Sequence, residues 1–143
     1  MKCCLIADPS EVIRKVARHY LEQASCTALE AGTADEAMAL IRQQNISAVL
    51  LDAALPGMTT IEFLSALRFS GIAHRPVVIY VTTENSTPDI RKAFSAGADT
   101  YLIKPFDRAA FMDTLRNAGL APVADAVPSR PSDTPARALY ASS

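Results

Sequence analysis

The sequence predicts an α/β fold, a doubly wound five-stranded parallel sheet with helices on both faces. Three observations carry this expectation. Five short apolar runs alternate with five amphipathic stretches, and the connections between them are short. The strongest runs are continuously apolar rather than alternating, the pattern of strands buried on both faces. At 143 residues, 50% apolar and 20% charged, the chain suits one domain with a substantial core.

Each element has its own signal. Residues 3–7 are a short buried strand, and Val12, Ile13, Val16, Ala17, Tyr20 and Leu21 then recur at helical spacing. Asp8-Pro9-Ser10-Glu11 stands at the junction. Asp at the N-cap, Pro at the first helical position and Glu at the third would start this helix by chemistry alone. The other reading makes Asp8 one carboxylate of a cation site. "CTALEAG" (26–32) suits a second strand, and "TADE" (33–36) is a capping box opening a helix that ends near Gln44. "SAVLL" (47–51) is a third buried strand ending at Asp52. "ALPGM" is a turn, and "TTIEFLSALRF" is a helix in which Thr59 and Glu62 can form a second capping box.

"PVVIYV" (76–81) is the clearest strand. The helix after it has Thr87 as expected N-cap, Pro88 at the first position and Gly97 as its stop. "DTYLI" (99–103) is the fifth strand. A last helix spans about 107–117, with Phe111, Met112 and Leu115 on its apolar face and Gly119 closing it. From Ala121 the composition turns to Ala, Pro, Ser and Arg, with four of the nine prolines and no apolar period. Residues 1–120 therefore read as the domain and 121–143 as a disordered tail.

A net charge of −1 supplies no global field toward nucleic acid or an anionic membrane. No segment approaches the ~20 apolar residues of a membrane span, and "MKCCLIAD" is too short before its aspartate for a signal peptide. Cys3, Cys4 and Cys26 lack ligand-type spacing and read as buried thiols in a reduced compartment. A cytoplasmic protein is expected.

Sites in doubly wound sheets form beyond the carboxyl ends of the strands. Those ends carry Asp8, Asp52, Thr82 and Lys104. Polar residues commonly terminate strands, so each alone says little. Two acids, a hydroxyl and an ammonium converging on one edge say much more.

Four stretches, "LIADPSEVIRK", "AVLLDAALPGM", "VIYVTTEN" and "AGADTYLIKPF", resemble the receiver domains of bacterial response regulators (CheY-like). The resemblance spans about residues 2–120 and implies the strand order 2-1-3-4-5. It implies that Asp52 is the phosphoacceptor, whose carboxylate attacks phosphorus to give an acyl phosphate. Lys104 matches the lysine that pairs with the acceptor, and the Lys104-Pro105 bond is expected to be cis. Thr82 matches the hydroxyl that swings to the phosphoryl group, and Tyr101 the aromatic whose rotamer follows. Asp8, Asp52 and the Ala54 carbonyl would hold Mg²⁺, which prefers oxygen ligands. Implied partners are a histidine kinase or histidine phosphotransfer protein and an unidentified downstream target, with no nucleic acid and no membrane. The target-binding face would include Arg91, Phe94, Ser95, Tyr101, Phe106 and Arg108, with Phe94 equally suited to the core.

The chain departs from the family pattern in two places. Receivers usually carry two adjacent acids after the first strand, and here there is one. Either Asp8 is the first acid and Pro9 replaces the second, or Ala7 replaces the first and Asp8 is the second. The former overlays Arg14 without a gap and is preferred. Met58-Thr59-Thr60 also stands where the family often has Met-Asp-Gly. Mg²⁺ should therefore bind weakly, and phosphorylation should be slow or need a dedicated donor. A stand-alone receiver, self-catalysing at most and not an enzyme on other substrates, is the leading expectation. A receiver-shaped interaction module independent of phosphorylation is the alternative. A haloacid-dehalogenase-type hydrolase would want a second aspartate where "DPS" has serine, and a flavodoxin would want a Ser/Thr/Gly-rich loop there.

Overall fold

A computed structural model describes residues 2–121; the expected tail, apart from Ala121, lies outside the described residues. The elements alternate throughout: β1 (Cys3–Ala7), α1 (Glu11–Gln23), β2 (Thr27–Ala31), α2 (Ala34–Gln43), β3 (Ala48–Asp52), α3 (Thr60–Arg68), β4 (Val77–Thr82), α4 (Thr87–Ala96), β5 (Thr100–Ile103) and α5 (Arg108–Asn117). The strands form one parallel sheet in the order β2-β1-β3-β4-β5. The fold class and strand order are those expected.

Side-chain alternation along the strands divides the core in two. Cys4, Ile6, Leu50, Val81 and Leu102 face α1 and α5, where Leu21, Phe111 and Leu115 cover them. Leu5, Leu51, Val78 and Tyr80 face the other way, against Met38, Phe63, Leu64 and Ile90 of α2, α3 and α4. Full burial of a large apolar side chain such as Leu5 or Phe63 contributes about 1.5–3 kcal/mol. All three cysteines are free thiols, with Cys4 and Cys26 buried and Cys3 half-buried. Burial, reinforced by Cys26, pushes the Cys4 thiol pKa well up, so it is held protonated.

Several local expectations need correction. The N-cap of α1 is Ser10, whose hydroxyl accepts from the Ile13 amide, and not Asp8. The N-cap of α4 is Ser86, with Thr87 already inside the helix. At α1 the hydroxyl two residues nearer the helix takes the role, and at α4 the serine one residue upstream does. Val12 and Val16 lie on the outer side of α1, 70% and 36% exposed, so its buried stripe rests on Ala17 and Leu21. Thr33 caps α2, but the Glu36 carboxylate reaches past it to the Gly32 amide. At α3 the reciprocal box of Thr59 and Glu62 is complete. Gly97 ends α4 at φ 126°, where an L side chain would be strained and would also meet the Arg75 guanidinium.

Candidate functional site

The register of the sheet assembles the polar cluster. Ala7 pairs with Leu51, so the chain brings Asp8 beside Asp52 one residue later. Thr82 pairs with Ile103, so Lys104 leaves the sheet next to them. By the two-residue period Asp8 follows Ile6, Asp52 follows Leu50 and Lys104 follows Leu102, all on the α1–α5 face.

Lys104 Nζ donates to Asp8 Oδ2 and to Asp52 Oδ1 at 2.6 Å each. The remaining oxygens accept backbone amides, Asp8 Oδ1 from Ser10 at 2.8 Å and Asp52 Oδ2 from Ala54 at 2.9 Å. Asp8 and Asp52 are only 3% and 8% exposed. Beneath them Ile6, Ile13, Ala17, Leu50, Val81 and Phe106 line a small apolar recess. Burial there works against the Lys104 ammonium, yet the hydrogen bonds and charges of Asp52 and Asp8 outweigh it and raise its pKa. Arg14 supports the first strand end by donating to the Asp8 carbonyl at 2.7 Å, while it and Arg18 grip Glu30. The open question about Asp8 is thereby answered. Its carboxylate faces an ammonium that is 96 residues away in sequence, and it caps no helix.

Thr82 stands apart from this cluster. It is 3% exposed and follows Tyr80 on the α3–α4 face. Its hydroxyl accepts the Glu84 amide at 3.0 Å, and among the described residues no side-chain hydrogen bond joins it to Asp52 or Lys104, although the Lys104 backbone amide donates to the Thr82 carbonyl at 2.8 Å. Tyr101, on the same side, is 41% exposed and meets Phe94 edge-on, ring centroids 6.1 Å apart. Phe94 is exposed and not a core residue. Arg91 and Ser95 are exposed beside it. Phe106 and Arg108 belong elsewhere, because Phe106 packs on Tyr20 and Phe111, and Arg108 bonds Gln23 of α1. They turn toward α1, and the exposed aromatic patch is smaller than expected. The Lys104-Pro105 peptide is cis.

Sequence reasoning missed Tyr80. It sits in a run of apolar residues and reads as strand filler, yet it is buried two residues before Thr82 on the same side of the sheet. The period of two would have placed both on one face.

The donor set can be tested against Mg²⁺. Two carboxylates and the Ala54 carbonyl are hard oxygen donors of the right kind. Each carboxylate oxygen already accepts one hydrogen bond and keeps a further lone pair, so an oxygen-seeking cation fits as an additional partner. The set is thin. Among the described residues no three acidic, His or Cys side chains gather as a metal cluster, and Lys104 already offsets one of the two charges.

Residues 4–116 match the response regulator receiver domain family, and the chain belongs to it. The transcriptional regulatory protein SrrA of Staphylococcus aureus is 34% identical over 103 residues, which are 71% of this chain and 41% of SrrA. The chain thus spans less than half the length of that relative. The chemotaxis response regulator CheY4 of Vibrio cholerae superposes with a TM-score of 0.77 at 28% identity, covering 82% of this chain and 98% of CheY4. A LuxR-family DNA-binding response regulator from Staphylococcus aureus gives 0.73 at 25% identity, over 82% of this chain and 98% of that one. The family is one of two-component signalling receivers. No helix among the described residues is long and apolar enough to cross a membrane.

Proposed function

We propose that this chain is a stand-alone receiver that accepts a phosphoryl group on Asp52 from a histidine kinase or histidine phosphotransfer protein and signals through protein contacts. The observation that carries the reading is the Lys104 ammonium placed 2.6 Å from both Asp52 and Asp8 at the carboxyl edge of the sheet. A pure scaffold has no use for that arrangement.

In the reaction an Asp52 carboxylate oxygen attacks phosphorus, the donor's phosphorus–nitrogen bond breaks, and the imidazole nitrogen keeps the bonding pair. Lys104 is already in place to neutralise charge on the transferred group. Thr82 must rotate from the α3–α4 face to reach it, and Tyr101 is free to follow, being only partly packed. Asp8, Asp52 and the Ala54 carbonyl would hold Mg²⁺, which when bound neutralises phosphoryl oxygens. The missing second acid makes that binding weak. The output face is the Phe94–Tyr101 surface of α4 and β5, and the setting is the cytoplasm.

Incubation with a small-molecule phosphodonor and Mg²⁺ should add the mass of one phosphoryl group, and Asp52→Asn should abolish the gain. No gain from that donor or from any candidate histidine kinase, with the protein folded, overturns the reading. It would favour the second one, an interaction module that acts without phosphorylation. The specific observation behind that alternative is the single acid at Asp8 and its closure by Lys104.

A further inference from the structure

Asp8 is held at every one of its polar atoms, and one of the holds comes from a side chain outside the charged cluster. The β1 ladder ends at Ala7. Past it the Asp8 amide donates to the Ala31 carbonyl at 3.0 Å, and the Asp8 carbonyl accepts Arg14 Nη1 at 2.7 Å. Arg14 reaches over from α1 and is itself anchored. Its Nε donates to Glu30 Oε1 at 3.0 Å, while Arg18 Nε donates to Glu30 Oε2 at 2.7 Å. Glu30 belongs to β2 and pairs with Ile6 in the sheet, so the anchor is a fixed strand. The Arg18 hydrogen bond above all, joined by that of Arg14 and opposed by burial, keeps the Glu30 carboxyl below its usual range.

We infer that Arg14 is a positioning residue for Asp8: by fixing the Asp8 carbonyl it fixes the turn that aims the Asp8 carboxylate at Lys104. The path is short. The Asp8 carbonyl and the Pro9 nitrogen share one rigid peptide plane. The pyrrolidine ring locks φ of Pro9. A single soft torsion, ψ of Pro9, therefore separates that plane from the next one, which carries the Ser10 N–H. This N–H donates to Asp8 Oδ1 at 2.8 Å, and Asp8 Oδ2 accepts Lys104 Nζ at 2.6 Å. Without the guanidinium the first plane can rock and carry the Ser10 donor with it, and the carboxylate follows. The inference rests on the reading of Asp52 as phosphoacceptor and adds to it a residue that acts through Asp8.

The test compares Arg14→Met with Arg18→Met. Each keeps an apolar stem and loses a bond to Glu30, but only the first also loses the bond to the Asp8 carbonyl. Arg14→Met should slow phosphoryl mass gain from a small-molecule donor with Mg²⁺ about tenfold, the order of one hydrogen bond to a charged group. Arg18→Met should keep the wild-type rate. In an Asp8→Ala background, itself slower than wild type, Arg14→Met should bring no further slowing, because the carboxylate it acts through is gone. With no donor present, amide hydrogen exchange at Ser10 should quicken in Arg14→Met and not in Arg18→Met. Equal slowing by the two arginine variants, or the full slowing repeated in the Asp8→Ala background, marks a merely structural effect and overturns the inference. So does a wild-type rate in Arg14→Met or in Asp8→Ala alone. If Arg14→Met does not fold, Arg14→Lys takes its place with the same outcomes, since a single ammonium pairs with the Glu30 carboxylate and cannot also span to the carbonyl. If wild-type protein gains no phosphoryl group, the functional reading fails, and the Ser10 exchange alone decides whether Arg14 holds the turn.

Discussion

The two sides of the sheet finish their strands differently. On the α1–α5 side three charged groups close on one another, with every carboxylate oxygen bonded and the ammonium spanning both acids. On the α3–α4 side the strand ends carry a hydroxyl, a buried phenol and an exposed tyrosine, and no charge is paired among them. One side is electrostatically tight, as the proposed phosphoacceptor site requires. The other is held by weak neutral contacts that can be exchanged cheaply, as a responding surface requires.

The largest expected effect removes the chemistry and leaves this contrast standing. Asp52→Asn should eliminate phosphoryl gain while the fold persists, since the isosteric amide fills the same space and its one oxygen can still accept from either Lys104 or Ala54. Next is Lys104→Ala, which strips the tight side of its cation. Two nearly buried carboxylates then face each other unpaired, and the protein should lose about 3 kcal/mol in denaturant melts at neutral pH. Added Mg²⁺ should recover part of that loss, and should do so more in the variant than in the wild type. A melt identical to wild type would mean that water already solvates the pair.

The pH dependence carries a sign. The Lys104 pKa is raised from 10.5, with burial opposing and the two carboxylates prevailing. A raised lysine pKa contributes stability that is whole below the unfolded-state value and is lost as pH climbs through the folded-state one. This group should cause no decline between pH 7 and about 10, and an alkaline loss above that range which Lys104→Ala lacks.

A smaller effect should come from restoring the absent acid. Pro9 is exposed at the rim of the tight side. Pro9→Asp adds a charge whose attraction for a cation ~4 Å away is about 4 kcal/mol before desolvation offsets most of it. Mg²⁺ affinity should rise about tenfold by titration, keeping roughly a third of that figure. No rise would show that position 9 points away from the pocket, and the register that equates Pro9 with the second acid would fall.

Much of this was legible from the sequence because strand ends in a doubly wound sheet share an edge. The apolar runs located those ends, and Asp8, Asp52, Thr82 and Lys104 followed. Two things escaped. The role of Asp8 against Ser10 as cap depends on Lys104, a contact across 96 positions that no local signal contains. The partition of the four residues between two faces follows from each strand's last position. A shift of one residue there reverses a side chain, and β4 runs one residue beyond the apolar stretch, to Thr82. Phe106 and Arg108 were misplaced for a related reason, since the chain turns after Pro105 and delivers them to α1.

The smallest effect probes the loop that bridges the two sides. Thr59 stands where the family often has an acid, and its hydroxyl accepts the Glu62 amide while Glu62 accepts the Thr59 amide at 2.8 Å. The box therefore does the capping work of the acid without its charge. Thr59→Ala should cost about 1 kcal/mol of stability. It should leave the phosphoryl-transfer rate near wild type, because no side chain in the Asp8–Lys104–Asp52 cluster bonds to Thr59. Thr59→Asp should hold stability within a few tenths of a kcal/mol, since aspartate caps as well as threonine does. If Thr59→Asp instead changes the rate strongly while stability holds, then charge at this rim reaches the reacting centre, and the separation of a tight side from an exchangeable one is less complete than the hydrogen bonds imply.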